Sequence, residues 1–204
     1  FAATLTKDSR RAHGVGAWIS RAVFSNLDAI FAVSDDDVKN FSRLKLPSTQ
    51  IQKRGDTRFD QVVARLAKPK PVRDVLFANV DARDVLVAGS TWPEDEAVLI
   101  EAMKLSERTK RWCLAPHEPT PEHLNELESR IKVSGFISIR YSTASAWNEG
   151  EVLLIDQVGI LAELYAKGRF AFVGGSFRKS VHSVMEPLAA GCLTAVGPLH
   201  TNNR

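Results

Sequence analysis

Cysteine is scarce in this chain of 204 residues, which contains only Cys113 and Cys192. Both lie in apolar stretches, so we predict two small core residues in a reducing compartment rather than a disulfide. Histidine is also sparse, and the five histidines show no spacing typical of paired metal ligands. We therefore expect no metal site in the protein.

Long apolar runs are missing as well. No stretch approaches the roughly 18 apolar residues of a membrane-spanning helix, and no signal peptide is recognisable. Hydrophobic residues make up 44% and charged residues 25% of the chain, as in an ordinary globular protein. The net charge of +3 is spread over both signs, so we expect no nucleic-acid partner.

Basic residues do cluster near the start, at Lys7, Arg10, Arg11 and Arg21. We expect them either to face anionic lipid or a phosphorylated acceptor or to form a solvated helix face. Residue 1 is Phe rather than Met, and the chain stops soon after its last strand-and-turn pattern. We expect a fragment that is cut at both ends and is soluble by itself.

Short apolar runs alternate with helical patterns along the whole chain. The runs lie at 28–34, 51–54, 84–90, 112–115, 151–156, 170–173 and 194–197. Strands that alternate with helices predict a parallel, doubly wound sheet. The two prolines of Lys68-Pro-Lys-Pro71 predict an extended linker between two such series.

The end of the chain is the most informative part. A buried strand at Phe170–Val173 leads to Gly174-Gly-Ser176, and a helical pattern with Glu186 near its start follows. Glycines after a strand let a ligand approach the backbone, and a helix N-terminus offers N–H groups to phosphate. A carboxylate there suits the two hydroxyls of a ribose. The spacing is not that of the dinucleotide fingerprint.

Six segments in order resemble the 3-deoxy-D-manno-octulosonic acid (Kdo) transferases, glycosyltransferases of lipid A assembly. They are Gly55-Asp-Thr-Arg-Phe-Asp60, Val87-Ala-Gly-Ser-Thr91, Ala115-Pro-His-Glu118, Asn148–Asp156, Phe172-Val-Gly-Gly-Ser176 and His182–Gly197. Together they cover nearly the whole chain, and their combination is far more specific than any one of them.

The resemblance implies a GT-B fold of two Rossmann-like, doubly wound parallel-sheet domains, the first only partly present. Residues 1–67 would end the acceptor-side domain, 68–83 would form the linker, and 84–204 would form a truncated donor domain. It also implies transfer of Kdo from CMP-Kdo to a lipid A precursor at the cytoplasmic face of the bacterial inner membrane, without a cofactor. The catalytic glutamate and the contact with an anionic membrane surface would lie before residue 1.

The resemblance also implies which residues hold the CMP group. They are Pro116, His117, Val158, Gly159, Ile160, Ser183, Val184, Met185 and Glu186. The family has arginine where this chain has His117, and its Met-Gly-Glu and Asn-Pro-Leu-Glu runs keep only Gly159 and Glu186. Four further residues are candidates for the donor cleft, namely Ser90, Gly174, Gly175 and Ser176.

Structural roles compete with each of these assignments. Ser183-x-x-Glu186 fits a capping box, the two glycines fit a tight turn, and His117 fits a satisfied polar group at a strand end. Val158 and Ile160 fit packing positions. For the whole protein, a UDP-sugar transferase or epimerase of the same fold and a non-catalytic nucleotide-binding fragment remain alternatives.

Overall fold

The computed structural model describes residues 2–107 and 111–200. It is an α/β structure in which every strand pairs with its neighbours in parallel, so the predicted fold class is confirmed. The chain divides into two compact units between Gln61 and Val62. We describe each unit by itself.

The first unit holds a three-stranded sheet and two helices. The strands β1 (Ala2–Ala3), β2 (Ala29–Ala32) and β3 (Gln50–Lys53) are adjacent in that order. The helices are α1 (Gly14–Phe24) and α2 (Asp35–Ser42). Five buried residues form the core of this unit: Leu5, Ile30, Ala32, Phe41 and Leu44. The four basic residues near the start are exposed.

Helix α3 (Thr57–Ala67) spans the division between the units. The predicted linker 68–83 therefore begins after the division, and it contains no helix longer than a three-residue turn. Leu76 and Phe77 in this segment are buried in the core of the second unit, because two large apolar side chains gain by leaving water. The bounds of the acceptor and donor domains stay a prediction.

The second unit is built on a six-stranded parallel sheet. Its strands are β4 (Val85–Thr91), β5 (Arg111–Pro116), β6 (Ile137–Arg140), β7 (Glu151–Leu154), β8 (Phe170–Val173) and β9 (Leu193–Val196). Their order in the sheet is β6-β7-β5-β4-β8-β9. The helices are α4 (Pro93–Leu105), α5 (Pro121–Val133), α6 (Leu161–Tyr165) and α7 (Met185–Ala189).

Helices cover both faces of this sheet. Val87 points to the core that contains Leu164 and Tyr165 of α6, whereas the next residue, Ala88, points to the core that contains Leu99 of α4 and Leu127 of α5. Successive residues of a strand face opposite sides. Burial on both sides explains why these strands are continuous apolar runs in the sequence.

The order of the strands reverses beside β4. The chain passes from β4 through α4 to β5 on one side, and it returns from β7 through α6 to β8 on the other side. Open α/β sheets bind ligands in the crevice outside the carboxyl ends of the strands at such a switch point. We therefore expect a ligand-binding site in the crevice at the ends of β4 and β8.

Two local predictions need correction. Strand β6 was not predicted, because Ile137-Ser-Ile-Arg140 is a short, partly exposed strand at the sheet edge. The last helix spans Met185–Ala189, with Glu186 in its first turn as predicted, and it begins one residue later than a capping box at Ser183 would place it. In the described part of the chain, no helix combines the length and apolarity needed to cross a bilayer.

Candidate functional site

The ends of β4 and β8 approach each other closely at the switch point. Ser90 has a φ of 54°, which is uncommon for a residue other than glycine. The N–H of Gly174 donates to the carbonyl of Gly89 at 2.9 Å, and a Cβ on Gly174 would lie 2.3 Å from the Ser90 oxygen. Two of the predicted cleft residues are thus neighbours, and one of them must be glycine.

Four side chains meet outside these strand ends, and we call Trp92, His117, Arg178 and His182 the ring cluster. The rings of His117 and His182 are stacked with centroids 4.4 Å apart. Trp92 lies 4.8 Å from His117, and the Arg178 guanidinium lies 4.1 Å from the centre of a Trp92 ring. His117 is exposed, so the cluster presents an imidazole and a guanidinium to solvent.

A hydrogen bond inside the ring cluster sets the state of His182. The indole N–H of Trp92 donates to His182 Nε2 at 3.1 Å, and an indole can only donate. The ring nitrogen Nε2 must therefore be unprotonated, and the neutral ring carries its proton on Nδ1. Burial, with a smaller effect of the nearby His117, lowers the pKa of His182, while the Asp95 charge acts in the opposite direction.

A fully buried carboxylate joins the two loops that flank the crevice. Asp95 Oδ2 accepts from the backbone N–H of Trp92 at 3.0 Å and from that of Gly175 at 2.8 Å. The other oxygen, Oδ1, is buried without a hydrogen-bond partner in the described residues. Buried polar atoms are rarely left unpaired, so the unpaired oxygen of Asp95 lowers the stability of the fold. The other oxygen holds the Gly175 turn against α4.

Gly175 and Ser176 are tied into the fold. Gly175 has a φ of 97°, and a Cβ there would lie 2.4 Å from the oxygen of Ser180. Ser176 is fully buried, and its Oγ accepts from the N–H of Gly197 at 2.6 Å. The tight-turn interpretation thus accounts for both residues, and the Ser176 side chain faces the interior.

The remaining predicted contacts differ in their exposure. Pro116 is buried at the end of β5, and Ile160 is buried in the core, whereas Val158 is 76% exposed.

At the start of α7, Val184 is the N-cap and Met185 is buried. Ser183 Oγ accepts from the Met185 N–H at 3.3 Å, and the N-cap residue Val184 makes no side-chain cap hydrogen bond. The Ser183–Glu186 capping box is absent.

A second set of side chains lies around Arg65, and we call Arg65, Gly159, Glu163 and Glu186 the Arg65 cluster. Glu163 is almost fully buried and accepts from Arg65 Nε at 3.3 Å and from Nη2 at 3.1 Å. Arg65 Nη2 also donates to the Gly159 carbonyl at 2.7 Å. Glu186 Oε1 lies 3.9 Å from Nη1. A cavity of about 370 Å³ opens beside Arg65 and Glu163.

Sequence reasoning missed Trp92, Asp95, His182 and Arg65 as parts of a site. For His182 the sequence offered one signal, because this residue begins the segment His182–Gly197 that carries the family resemblance. Within residues 2–107 and 111–200, no three side chains of the metal-binding types are clustered. The expected independence from a metal stays a prediction.

Comparisons with known proteins agree with the predicted resemblance, although no protein-family model matches the chain. The 3-deoxy-D-manno-octulosonic acid transferase of Chlamydophila psittaci is 24% identical over 87% of this chain and 41% of its own length. The protein of the same name from Haemophilus influenzae is 28% identical over 83% of this chain and 40% of its own length. A bifunctional glycosyltransferase/methyltransferase of Fusobacterium nucleatum is 24% identical over 84% of this chain and 27% of its own length.

One solved structure is also similar. It is the crystal structure of the C-terminal CMP-Kdo binding domain of WaaA from Acinetobacter baumannii, which is 25% identical with a TM-score of 0.53 and covers 71% of this chain and 72% of that domain. The resemblance to Kdo transferases is confirmed. The chain spans less than half the length of the curated relatives that it matches.

Proposed function

We propose that this chain forms the donor-binding part of a transferase that moves Kdo from CMP-Kdo to a lipid A precursor. One observation carries the proposal. The switch-point crevice, where Ser90, Gly174 and His117 converge, lies in a chain that is similar over 71% of its length to a crystallised CMP-Kdo binding domain.

The ring cluster suits an anionic donor. CMP-Kdo carries a phosphodiester and a carboxylate, and at the crevice His117 and Arg178 are exposed cations or potential cations. Arg178 is always charged, and a His117 that gains a proton adds a second positive charge. In this proposal His117 takes the place of the family's arginine. Glu186, at the start of α7, accepts hydrogen bonds from the ribose hydroxyls.

The reaction is a displacement at the anomeric carbon of Kdo. A hydroxyl oxygen of the acceptor forms the new bond to this carbon, the bond to the CMP phosphate oxygen breaks, and CMP leaves with the bonding electron pair. The acceptor proton passes to a general base. Positive groups at the crevice stabilise the phosphate as it departs. We assign the base to a glutamate outside these 204 residues, as the resemblance implies.

The acceptor and the location follow from the same resemblance. We propose a lipid A precursor as acceptor, an anionic membrane surface as the place of reaction, and the cytoplasmic face of the bacterial inner membrane as the site in the cell. No cofactor beyond the donor is needed in this scheme. The alternatives are a UDP-sugar transferase or epimerase and a non-catalytic nucleotide-binding protein.

Calorimetric titration of the 204-residue chain with CMP, UDP and ADP tests the donor assignment. We expect CMP to bind at least about tenfold more tightly than the other two, a difference of about 1.4 kcal/mol. His117→Ala should weaken CMP binding, and His13→Ala, which removes an exposed histidine of the first unit, should not. Equal affinity for the three nucleotides would leave only the fold and favour another nucleotide-dependent enzyme.

A further inference from the structure

Arg65 is held rigidly by a buried acid. Its guanidinium makes a two-pronged contact with Glu163, whose side chain is only 4% exposed. Glu163 Oε1 also accepts from the backbone N–H of Lys70 at 3.0 Å. The hydrogen bond to Glu163, partly offset by burial, raises the pKa of Arg65. The guanidinium is therefore a fixed, permanently charged group.

The rest of the same guanidinium faces two residues that the resemblance assigns to the donor site. Nη2 donates to the Gly159 carbonyl, which lies in the loop between β7 and α6. Nη1 lies 3.9 Å from Glu186 Oε1, too far for a hydrogen bond. The positive charge of Arg65 thus attracts the Glu186 carboxylate, and Arg65 makes no hydrogen bond to either carboxylate oxygen of Glu186.

We propose that Arg65 is a positioning residue of the nucleotide site, where it orients the Glu186 carboxylate and fixes the Gly159 loop. The inference rests on the proposed function, because Glu186 and Gly159 are donor contacts only if the chain binds CMP. It assigns a role to a helix that precedes the predicted linker. No motif in the sequence connects Arg65 with residues nearly a hundred positions away.

The arrangement differs from an ordinary ion pair of the same chain. Arg140 makes a similar two-pronged contact with Glu128, at 2.8 Å and 2.9 Å, and its third bond is to Asn125. None of these partners is a predicted donor contact. Arg140 is therefore a control for the loss of a bidentate ion pair in the same unit, although its partner Glu128 is 31% exposed and Glu163 only 4%.

The test is a double-mutant cycle on CMP affinity, measured by calorimetry on the 204-residue chain. Arg65→Met should weaken CMP binding about tenfold, whereas Arg140→Met should leave the affinity unchanged. In a Glu186→Gln background, where the carboxylate is already neutral, the further loss from Arg65→Met should shrink below about threefold. A role limited to folding predicts the same loss in both backgrounds.

A second variant covers the case in which Arg65→Met does not fold. The double variant Arg65→Gln, Glu163→Gln leaves no buried charge without a partner, and it should show the same loss and the same dependence on Glu186. Unchanged affinity, or a loss that ignores the state of Glu186, overturns the inference alone. If the wild-type chain binds no CMP, the proposed function fails, and the inference fails with it.

Discussion

Two neighbouring carboxylates in the first turn of α4 behave in opposite ways. Asp95 and Glu96 are adjacent and both fully buried. Asp95 turns toward the crevice and accepts only from backbone N–H groups. Glu96 turns to the other side, where it accepts from the hydroxyl of Thr91 at 3.0 Å, and contacts His123 Nε2, also at 3.0 Å.

The two acids differ in how their charge is compensated. Glu96 faces His123 and, at 3.8 Å, the guanidinium of Arg130, so its negative charge is opposed by positive or protonatable groups. Asp95 has one oxygen with no hydrogen-bond partner in the described part of the chain. A buried charge is costly unless it is paired and hydrogen-bonded.

This difference separates a structural carboxylate from a site-forming one. The partners of Glu96 lie on β4 and α5, so it holds the scaffold together. The N–H groups that Asp95 binds belong to the two loops around the crevice, and those loops carry Trp92 and Gly175. Asp95 therefore fixes the geometry of the crevice, although one of its oxygens has no hydrogen-bond partner in the described residues.

The largest expected effect is that of Glu96→Ala. Removing one member of a buried ionic group leaves its partners uncompensated, so we expect the free energy of unfolding to fall by about 3 kcal/mol. The remaining folded protein should bind CMP as tightly as the wild type. Urea unfolding measures the first and calorimetry the second. Glu94→Ala, at an exposed position of the same turn, serves as the control.

Asp95→Ala should have a smaller effect on stability and a larger effect on the site. The substitution leaves the N–H groups of Trp92 and Gly175 without their acceptor, which should lower the free energy of unfolding by about 2 kcal/mol. Removing a buried carboxylate that has one unpaired oxygen offsets part of this loss. Because the Gly175 turn loosens, CMP affinity should fall severalfold. If Asp95→Ala spares CMP binding and Glu96→Ala abolishes it, the comparison is reversed and our interpretation is wrong.

The alternation of strands and helices could be predicted because it depends on local pattern. A strand that is buried on both faces is an apolar run. In a helix with one buried face, the apolar residues recur every three or four positions. Helix boundaries were harder. The pattern Thr91-Trp-Pro-Glu94 fits a capping box, but the N-cap is Trp92, and the acid that accepts from its N–H is Asp95. Because tryptophan is not a preferred N-cap residue, the sequence pattern places the start of the helix one residue too early.

The start of α7 shows a similar limit. The capping-box interpretation of Ser183-x-x-Glu186 places the N-cap at Ser183, whereas the helix begins at Met185 with Val184 as its N-cap. Pro187 has no N–H to donate and is tolerated only in the first turn of a helix, which agrees with this later start.

The candidate site was only partly predictable. The resemblance pointed to His117 and Glu186, because each lies in a segment whose order matches the family. The contacts of Trp92 with His182 and of Arg65 with Glu163 join residues 90 and 98 positions apart. Such pairs are set by the order of the strands in the sheet, which no local periodicity reveals.

The smallest expected effect concerns the two histidines that face these acids. The Glu96 hydrogen bond and charge outweigh burial and raise the pKa of His123 above 6.5, whereas burial and the His117 charge lower the pKa of His182. His123 thus stabilises the fold below its ordinary pKa, and this contribution is lost as the pH rises through the raised value. His182 stabilises the fold above its ordinary pKa, and this contribution is lost as the pH falls through the lowered value.

Trp92→Phe tests the second half of this contrast. It keeps an aromatic ring beside His117 and removes the N–H that binds His182 Nε2, a bond that stabilises only the unprotonated nitrogen. We expect the pKa of His182 to rise and the free energy of unfolding at neutral pH to fall by about 1 kcal/mol. The titration of His123 should not change, and Trp18→Phe, at an exposed position of α1, should alter neither histidine. Nitrogen-15 spectra of the imidazoles measure both the titrations and the tautomer. A wild-type His182 with its proton on Nε2, or a pKa that Trp92→Phe leaves in place, would show that the indole does not control this ring.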